Sequence, residues 1–572
     1  MCGIFFLSQK NSTCDQCDYN KKHNKIEEIK TAFQSGEGRG PDNTTFISNF
    51  SANSIVRDEE KKTHSFYLGF HRLAINGLDE ISNQPIIINN VAMICNGEIY
   101  NYKELYKTHN ISPSTNSDCE VILRLYLKYG IEKTLQLIHG VFAFVIIDDQ
   151  NKLKRRVLVA RDSYGIRPMF IVRYFDGCFG VASLLKQLVM LREATDKNSG
   201  VYQFTPGMCH TFVFETNARP IESWFNFKKD ILMAKMNPIN NDRILAICYN
   251  VNKYLNAAVK MRVENTDRPV ACLLSGGLDS SLITALVAKY VPDPKKLNTF
   301  SIGMKGASDL SYARKVATYI GTNHHEIVVN EDEFFAAIPK VIESIESYDT
   351  TTVRASVGNY LIGKYIRENC DAKVIFNGDG SDELLGGYLY MHYAPDSNEF
   401  DKETRRLLDN IHFFDVLRSD RCISCHGLEP RTPFMDIDLI AYYLSCSSFL
   451  RNHRSSTKLP EKYILRKAFS KDNLLPDSVL WRTKEAFSDG VSDEKNSWHT
   501  IIKQRMNKKQ TQIKESPIYD SNLTLEQNYY KQIFEDLYPN NTHIIPHYWM
   551  PKFIDATDCS ARDLGIYKEL QE

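Results

Sequence analysis

The stretch Val270-Ala271-Cys272-Leu273-Leu274 runs directly into Ser275-Gly276-Gly277-Leu278-Asp279-Ser280-Ser281, and it constrains the fold more than any other part of the chain. Five apolar residues without a turn former predict a buried parallel strand. Gly276 and Gly277 allow a tight turn in which backbone N–H groups approach a ligand. Ser280 then opens a predicted helix with Leu282, Ile283, Leu286, Val287 and Tyr290 on one face. A glycine loop feeding a helix N-terminus is an anion site, with free N–H groups and the positive end of the helix dipole aimed at a phosphate. No Gly-Lys-Ser/Thr follows, so this is not a Walker A loop. An ordinary Gly-Gly turn would also join strand to helix. It would not account for hydroxyls and Asp279 falling where phosphates and a metal need them.

At 572 residues the chain exceeds one ordinary core, so two or more domains are expected. The formal net charge is +0, which removes the electrostatic case for a nucleic-acid or membrane partner. No apolar run approaches a transmembrane span. The start, Met1-Cys2-Gly3-Ile4-Phe5-Phe6-Leu7, lacks the basic flank of a signal peptide, and a cytoplasmic location is expected. Fourteen cysteines scattered through so long a chain read as thiols rather than as a disulfide framework.

Cys2 is notable for its position. Removal of Met1 would leave a cysteine whose own α-amine, with a reference pKa of about 7.7–8.0, can act as base for its thiol. The equal alternative is a small buried residue in an edge strand. Further along come Arg39-Gly40-Pro41-Asp42, His71-Arg72-Leu73-Ala74-Ile75, and Asn96-Gly97-Glu98-Ile99-Tyr100-Asn101 after an apolar run. Ser117-Asp118-Cys119-Glu120 precedes a predicted helix over Val121 to Tyr129, with Ser117 or Asp118 as its cap. Gly140 to Asp148 reads as a buried strand. Together these motifs resemble the glutaminase domain of the class II amidotransferases, which implies an α+β N-terminal nucleophile sandwich. On that resemblance Cys2 attacks the glutamine side-chain amide, and Asn96 with the Gly97 N–H forms the oxyanion hole. Arg72 holds the α-carboxylate, Asp118 and Glu98 hold the α-ammonium and amide, and Leu73, Ala74, Ile75 and Asn76 line the pocket. Cys14-x-x-Cys17 could be half of a zinc site, but no second pair is near, and the segment from Asn11 to Lys25 is read as an exposed loop.

Residues 211–240 show no clear period and are read as a linker between a glutaminase domain at 2–210 and a second domain at 241–572. Helical spacing from Ile244 to Val263 leads into the glycine loop. Beyond it, Thr299 to Gly303 is a second predicted strand, and Ser308 starts a helix to Ile320. His324-His325 face opposite ways on a strand, so no metal is expected there. Tyr348 to Ser356 is a polar cluster suited to an amino-acid substrate. Lys373 to Phe376 ends in the glycine-rich turn Asn377-Gly378-Asp379-Gly380-Ser381-Asp382-Glu383, at a strand's carboxyl end where open sheets bind ligands. The alternation predicts an α/β doubly wound parallel-sheet domain.

The Ser-Gly-Gly-Leu-Asp-Ser-Ser loop resembles the pyrophosphate loop of the N-type ATP pyrophosphatases. The order of all these motifs, continuing through Lys484 to Gly490, resembles the glutamine-dependent asparagine synthetases over nearly the whole chain. The tail, with Trp549-Met550-Pro551-Lys552 and Ser560-Ala561-Arg562, looks like their eukaryotic form. The resemblance implies ATP, L-aspartate and L-glutamine as small-molecule substrates, giving AMP, pyrophosphate, L-asparagine and L-glutamate through a β-aspartyl-AMP intermediate. ATP would sit on Leu274, Ser275, Gly276, Gly277, Asp279 and Ser280, with Ile302, Asn377, Gly378 and Lys484 around it. Asp279 and Asp382 would hold Mg²⁺, and Thr351 and Arg354 the aspartate. Ammonia would travel by an enclosed route. Oligomeric state is open, a homodimer being one option. Where the family usually reads Ser-Gly-Glu-Gly-Ser-Asp-Glu this chain has Asn377 and Asp379, the latter one methylene short at a position implicated in forming the adenylate. Cys422-x-x-Cys425-His426 spells a haem attachment pattern, which is rejected because the segment reads as helical. Two rivals stand beside this reading: a relative amidating another carboxylate, and a weakened glutamine-binding regulator.

Overall fold

The computed structural model describes residues 1–11, 19–48, 50, 64–151, 154–192, 200–215, 218–232, 241–453, 459–485, 487–492, 497–556 and 558–560. Cys14, Cys17, Ala486, Thr557, Ala561 and Arg562 lie outside them. The chain divides into two compact units, Met1–Lys229 with Ser424–Leu428, and Asp230–Ile423 with Glu429–Glu572.

The first unit holds strands β1 (Gly3–Lys10), β2 (Asn43–Ile47), β3 (His64–Arg72), β4 (Ile86–Ile88), β5 (Val91–Ile99) and β6 (Gly140–Asp148). It continues with β7 (Lys154–Arg161), β8 (Phe170–Arg173), β9 (Phe179–Ala182), β10 (Val201–Gln203), β11 (Met208–Glu215) and β12 (Ile221–Asn226). They form two six-stranded sheets, β10-β8-β9-β1-β3-β2 and β12-β11-β7-β6-β5-β4. Strand alternation explains their packing. Ile4 and Phe6 of β1 and Phe66, Leu68 and Phe70 of β3 share a face with period two. They meet Ala92 and Ile94 of β5 and Ala143, Val145 and Ile147 of β6 in one buried core. The other face of β5 and β6, with Met93, Cys95, Phe144 and Ile146, packs with Val121, Ile122 and Leu125 of the helix Glu120–Tyr129. This is the sandwich expected.

Three local readings are corrected. The helix Glu120–Tyr129 has Cys119 at its N-cap with no side-chain cap bond, because the Asp118 carboxylate accepts instead from the Ile99 N–H at 2.6 Å. The segment read as linker from 211 contains the end of β11 and all of β12, so the sheet extends to Asn226. Residues 19–25, read as loop, begin the helix Tyr19–Gln34, whose Ile29, Ala32 and Phe33 are buried.

The second unit is built on β13 (Val270–Leu273), β14 (Asn298–Met304), β15 (Asn323–Val329), β16 (Val374–Phe376) and β17 (Glu429–Arg431). All pairs are parallel, in the order β15-β14-β13-β16-β17. Helices Leu278–Tyr290, Ser308–Ile320 and Thr350–Asn369 fall between successive strands. The chain winds outward from β13 to β15 and then returns to the other side of β13 with β16. The switch point of this doubly wound sheet is therefore between β13 and β16, where such sheets bind ligands beyond the strands' carboxyl ends. The helix after β13 begins at Leu278, two residues before Ser280. It is buried on more than the single expected face, Ser281, Thr284 and Ala285 included, because it packs against both β13 and the helix Asn241–Glu264. No helix among the described residues is long and apolar enough to cross a membrane.

Candidate active site

In the first unit the β1–β3 register sets Gly3 opposite His71, so Cys2 leaves the end of β1 beside Arg72 and Leu73. The Cys2 thiol donates weakly to the Leu73 carbonyl at 3.6 Å, and Arg39 Nε donates to the Cys2 carbonyl at 3.0 Å. Asn96, on β5, is fully buried, yet neither atom of its side-chain amide has a partner among the described residues. A buried primary amide left unpaired is costly unless a ligand completes it. Gly97 follows it, and a Cβ there would overlap the Val141 carbonyl across the sheet. Asn76 Nδ2 donates to Glu98 Oε2 at 2.7 Å, and the Ala74 N–H donates to Asp42 at 2.8 Å, which fixes the 73–76 turn over the strand ends. Arg72 is buried and differs from expectation. Its terminal nitrogens donate to the carbonyls of Asp79 (2.9 Å), Asn76 (3.3 Å) and Gly77 and to Asn83 Oδ1 (2.7 Å).

In the second unit a large cavity opens at the switch point. It is lined by Leu274, Ser275, Gly277, Asp279 and Ser280 from the loop after β13, Ile302 from β14, and Asn377, Gly378, Asp379 and Asp382 from the turn after β16. Thr351 and Lys484 complete the wall. The loop is tightly wound: Ser275 Oγ lies 2.9 Å from Ser280 Oγ, and the Gly277 N–H reaches Ser275 Oγ at 3.4 Å. Gly276 has φ +79°, and a Cβ there would overlap the Ala313 backbone, so glycine is required twice over. Gly378 lies so close to Asp279 that a Cβ would clash with its backbone, which brings the two glycine turns together.

The floor is a four-membered charge cluster. Lys462 Nζ lies 2.6 Å from Asp279 Oδ2 and 2.6 Å from Asp382 Oδ1, while Lys484 Nζ is 2.6 Å from Asp382 Oδ2. Ser381 Oγ donates to the other Asp279 oxygen at 2.8 Å. Burial disfavours charge on Asp382, but Lys462 and Lys484 outweigh it and hold the carboxyl well below its usual range. The same pairing carries Lys484 above its usual range against the burial penalty. Asp379 differs. Burial pushes its carboxyl up to about 6, with Arg418 opposing and Asp415 adding to the rise. Arg418 donates to Asp379 Oδ1 at 3.0 Å and also grips Asp415. Asn377 Nδ2 donates to Ser419 Oγ at 2.7 Å, so the amide braces this turn from behind. Arg482 stacks 3.9 Å over Tyr312, donates to the Gly276 carbonyl at 3.3 Å and pairs with Asp309 and Glu485.

Arg354 contradicts its expected place. It does not line the cavity. Its side chain is 4% exposed, and its fork is taken by Glu526 at 2.6 Å and Asp558 at 2.7 Å. A guanidinium so engaged has no face left for a substrate carboxylate. Sequence reasoning passed over Lys462, Arg418 and Arg482. Lys462 precedes the helix Tyr463–Phe469 in no motif, and its backbone there is left-handed, at φ 57°. His324, in which no metal was expected, bonds through its ring nitrogens to the Thr299 and Ser301 hydroxyls, each at 3.0 Å. Cys422 lies within the helix Asp415–Ser424, and neither Cys422 nor Cys425 forms a disulfide among the described residues.

Comparison with known proteins finds two domain families along the chain. A glutamine amidotransferase domain family matches residues 1–244, and an asparagine synthase family matches residues 250–401 and 394–553. The chain is 42% identical over 520 residues to a chicken (Gallus gallus) protein described as a glutamine-hydrolysing asparagine synthetase, covering 87% of this chain and 91% of that one. Proteins of the same description from Rattus norvegicus and Homo sapiens are 42% and 41% identical, with the same shares covered.

Proposed function

The chain belongs to the glutamine-hydrolysing asparagine synthetases, and from that premise we propose which of its residues carry the reaction. The enzyme hydrolyses glutamine at one site and uses the ammonia at the other to amidate aspartate, with ATP as the driving reagent. The observations that best support two working sites are the unpartnered buried Asn96 amide of the first unit and, in the second, the Asp279–Lys462–Asp382–Lys484 cluster beneath the glycine loop.

At the first site Cys2 is the nucleophile, and once Met1 is removed its own amine takes the thiol proton. The Asn96 amide and the Gly97 N–H receive the oxyanion of the tetrahedral intermediate, a role that gives the orphaned amide its partner. Glutamine's α-carboxylate binds Arg72 by displacing the Asn83 side chain, and Asp118 and Glu98 hold the amine end.

At the second site the loop Leu274 to Ser280 cradles the ATP phosphates, Ile302 packs on the base, and Asn377 and Gly378 border the nucleoside. The aspartate β-carboxylate attacks the α-phosphorus, pyrophosphate leaves toward Lys484 and Lys462, and ammonia then displaces AMP. Asp379 and Thr351 face the acceptor. The donor set suits Mg²⁺: two carboxylates, one of them held firmly ionised, approach a common neighbour closely enough to share a small hard cation. Asp279 and Asp382 would hold it, and it would neutralise charge on the pyrophosphate oxygens. A cytoplasmic location and a homodimer complete the proposal.

Incubation of purified protein with aspartate, ATP-Mg²⁺ and glutamine, followed by mass detection, tests it. Asparagine and AMP in equal amounts are expected. Amidation of a different carboxylate in preference to aspartate would overturn the acceptor assignment.

A further inference from the structure

Arg354 lies on the same helix, Thr350–Asn369, as Thr351, Thr352 and Ala355, which line the synthetase cavity. Its own side chain turns away from them. The guanidinium makes two bonds to Glu526, from Nε at 2.9 Å and Nη2 at 2.6 Å. It makes two more to Asp558, from Nη1 at 2.7 Å and Nη2 at 2.8 Å. The C-terminal segment holding Asp558 has further anchors. The Trp549 N–H donates to Asp349, the N-cap of that helix, at 2.7 Å, and Trp549 itself lines the cavity. Tyr348 donates to the Thr542 carbonyl at 2.6 Å. Ser560 donates at 2.9 Å to Asp489, which follows the Lys484 loop.

We infer that Arg354 is a positioning residue, and that the C-terminal segment from Thr542 to Ser560 is a strap that sets the acceptor wall of the synthetase site. The strap holds the cavity-lining helix at its N-cap and again at Arg354, and ends against the chain that presents Lys484. A helix fastened at Asp349 and Arg354 cannot slide or rotate, so Thr351 and Thr352 keep one position relative to the glycine loop. The fork matters. A planar guanidinium can bridge two carboxylates at once, whereas a lysine ammonium on one stem cannot reproduce four directed bonds. This inference rests on the reading of the cavity as the place where aspartate is adenylated.

Its test is steady-state kinetics on Asp558→Asn, Asp558→Glu and Arg354→Lys, with ammonia as nitrogen donor and Asp279→Asn as a control. Asp558 does not line the cavity. Asp558→Asn is expected to raise KM for aspartate roughly tenfold or more, the scale of a misplacement below 1 Å, with KM for ATP and glutaminase activity unchanged. Asp558→Glu should restore most of the loss, and thermal midpoints should separate a folding defect from a KM effect. Unchanged aspartate kinetics in Asp558→Asn, with a large loss in Arg354→Lys, would instead make Arg354 a direct substrate ligand. Unchanged kinetics in both would dismiss the strap. Pyrophosphate release surviving in Asp279→Asn would fail the site reading itself, independently of the strap.

Discussion

Lys462 Nζ reaches Asp279 Oδ2 at 2.6 Å across 183 residues of sequence. Lys462 is 3% exposed, and the same nitrogen holds Asp382. One lysine therefore ties together one acidic residue from each glycine turn, Asp279 and Asp382. Replacing Lys462 by methionine removes the shared counter-ion and leaves Lys484 alone beside two partly buried carboxylates. We expect pyrophosphate release to fall by at least about a hundredfold, with glutamine hydrolysis intact. Because uncompensated buried charge commonly costs about 3–5 kcal/mol, a lower thermal midpoint should accompany it. A coupled pyrophosphate assay beside a glutamate assay decides the matter, and equal loss in both would point to general unfolding.

At the other site, Asn96→Ala is expected to lower glutamine hydrolysis about 10²–10³-fold, the usual effect of deleting one oxyanion donor. Cys2→Ala should abolish it. In both variants asparagine formation from ammonium chloride should persist, since Asn96 and Cys2 belong to the first unit and the glycine loop to the second. Loss of ammonia-dependent synthesis in Cys2→Ala would contradict the division of labour.

By the sequence resemblance, Asp379 stands one methylene short of the glutamate expected at its position. Arg418, itself shared with Asp415, holds the shorter carboxylate in a partly buried cluster, so its position is set by the surrounding protein. Asp379→Ala should abolish asparagine formation while hydrolysis of glutamine persists. Asp379→Glu should bring no gain, because the extra methylene must displace Arg418. A large gain in the glutamate variant would mark the natural protein as a weakened synthetase.

Acid should destabilise the second unit through two buried histidines. His392 and His453 are 4% and 1% exposed, with ring centroids 4.7 Å apart. Burial lowers both, His392 to about 4, and for His453 the neighbouring His392 adds to the effect. Above pH 6.5 folded and unfolded forms are both neutral there, and stability is at its full value. As pH falls below 6.5 the unfolded chain takes up protons that the folded one refuses. Stability then drops by about 1.4 kcal/mol per unit per histidine, until the folded state also titrates. Thermal midpoints at pH 7 and pH 5 should differ less for His453→Gln than for the wild-type protein.

Most of the fold was legible because its signals are local. The apolar run of β13 and the two glycine turns each lie within a dozen residues, and the helix from Ser308 to Ile320 has the bounds read from sequence. What was not legible depends on distant partners. Arg354 sits in a polar cluster that looks suited to a substrate, but the residues that claim it are 172 and 204 positions away. Lys462 has no motif around it, and only the packing of its short helix carries it to Asp279. The strand Ile221–Asn226 was hidden because five of its six residues are exposed, and an edge strand so placed shows no buried alternation.

The central claim is that one chain moves nitrogen from glutamine to aspartate at the expense of ATP. The most direct measurement supplies glutamine labelled at its amide nitrogen, with aspartate and ATP-Mg²⁺, and follows the label by mass spectrometry. The account predicts asparagine carrying the label in its side chain, with one AMP for each asparagine formed. Labelled ammonia and glutamate accumulating with no asparagine and no AMP would contradict it.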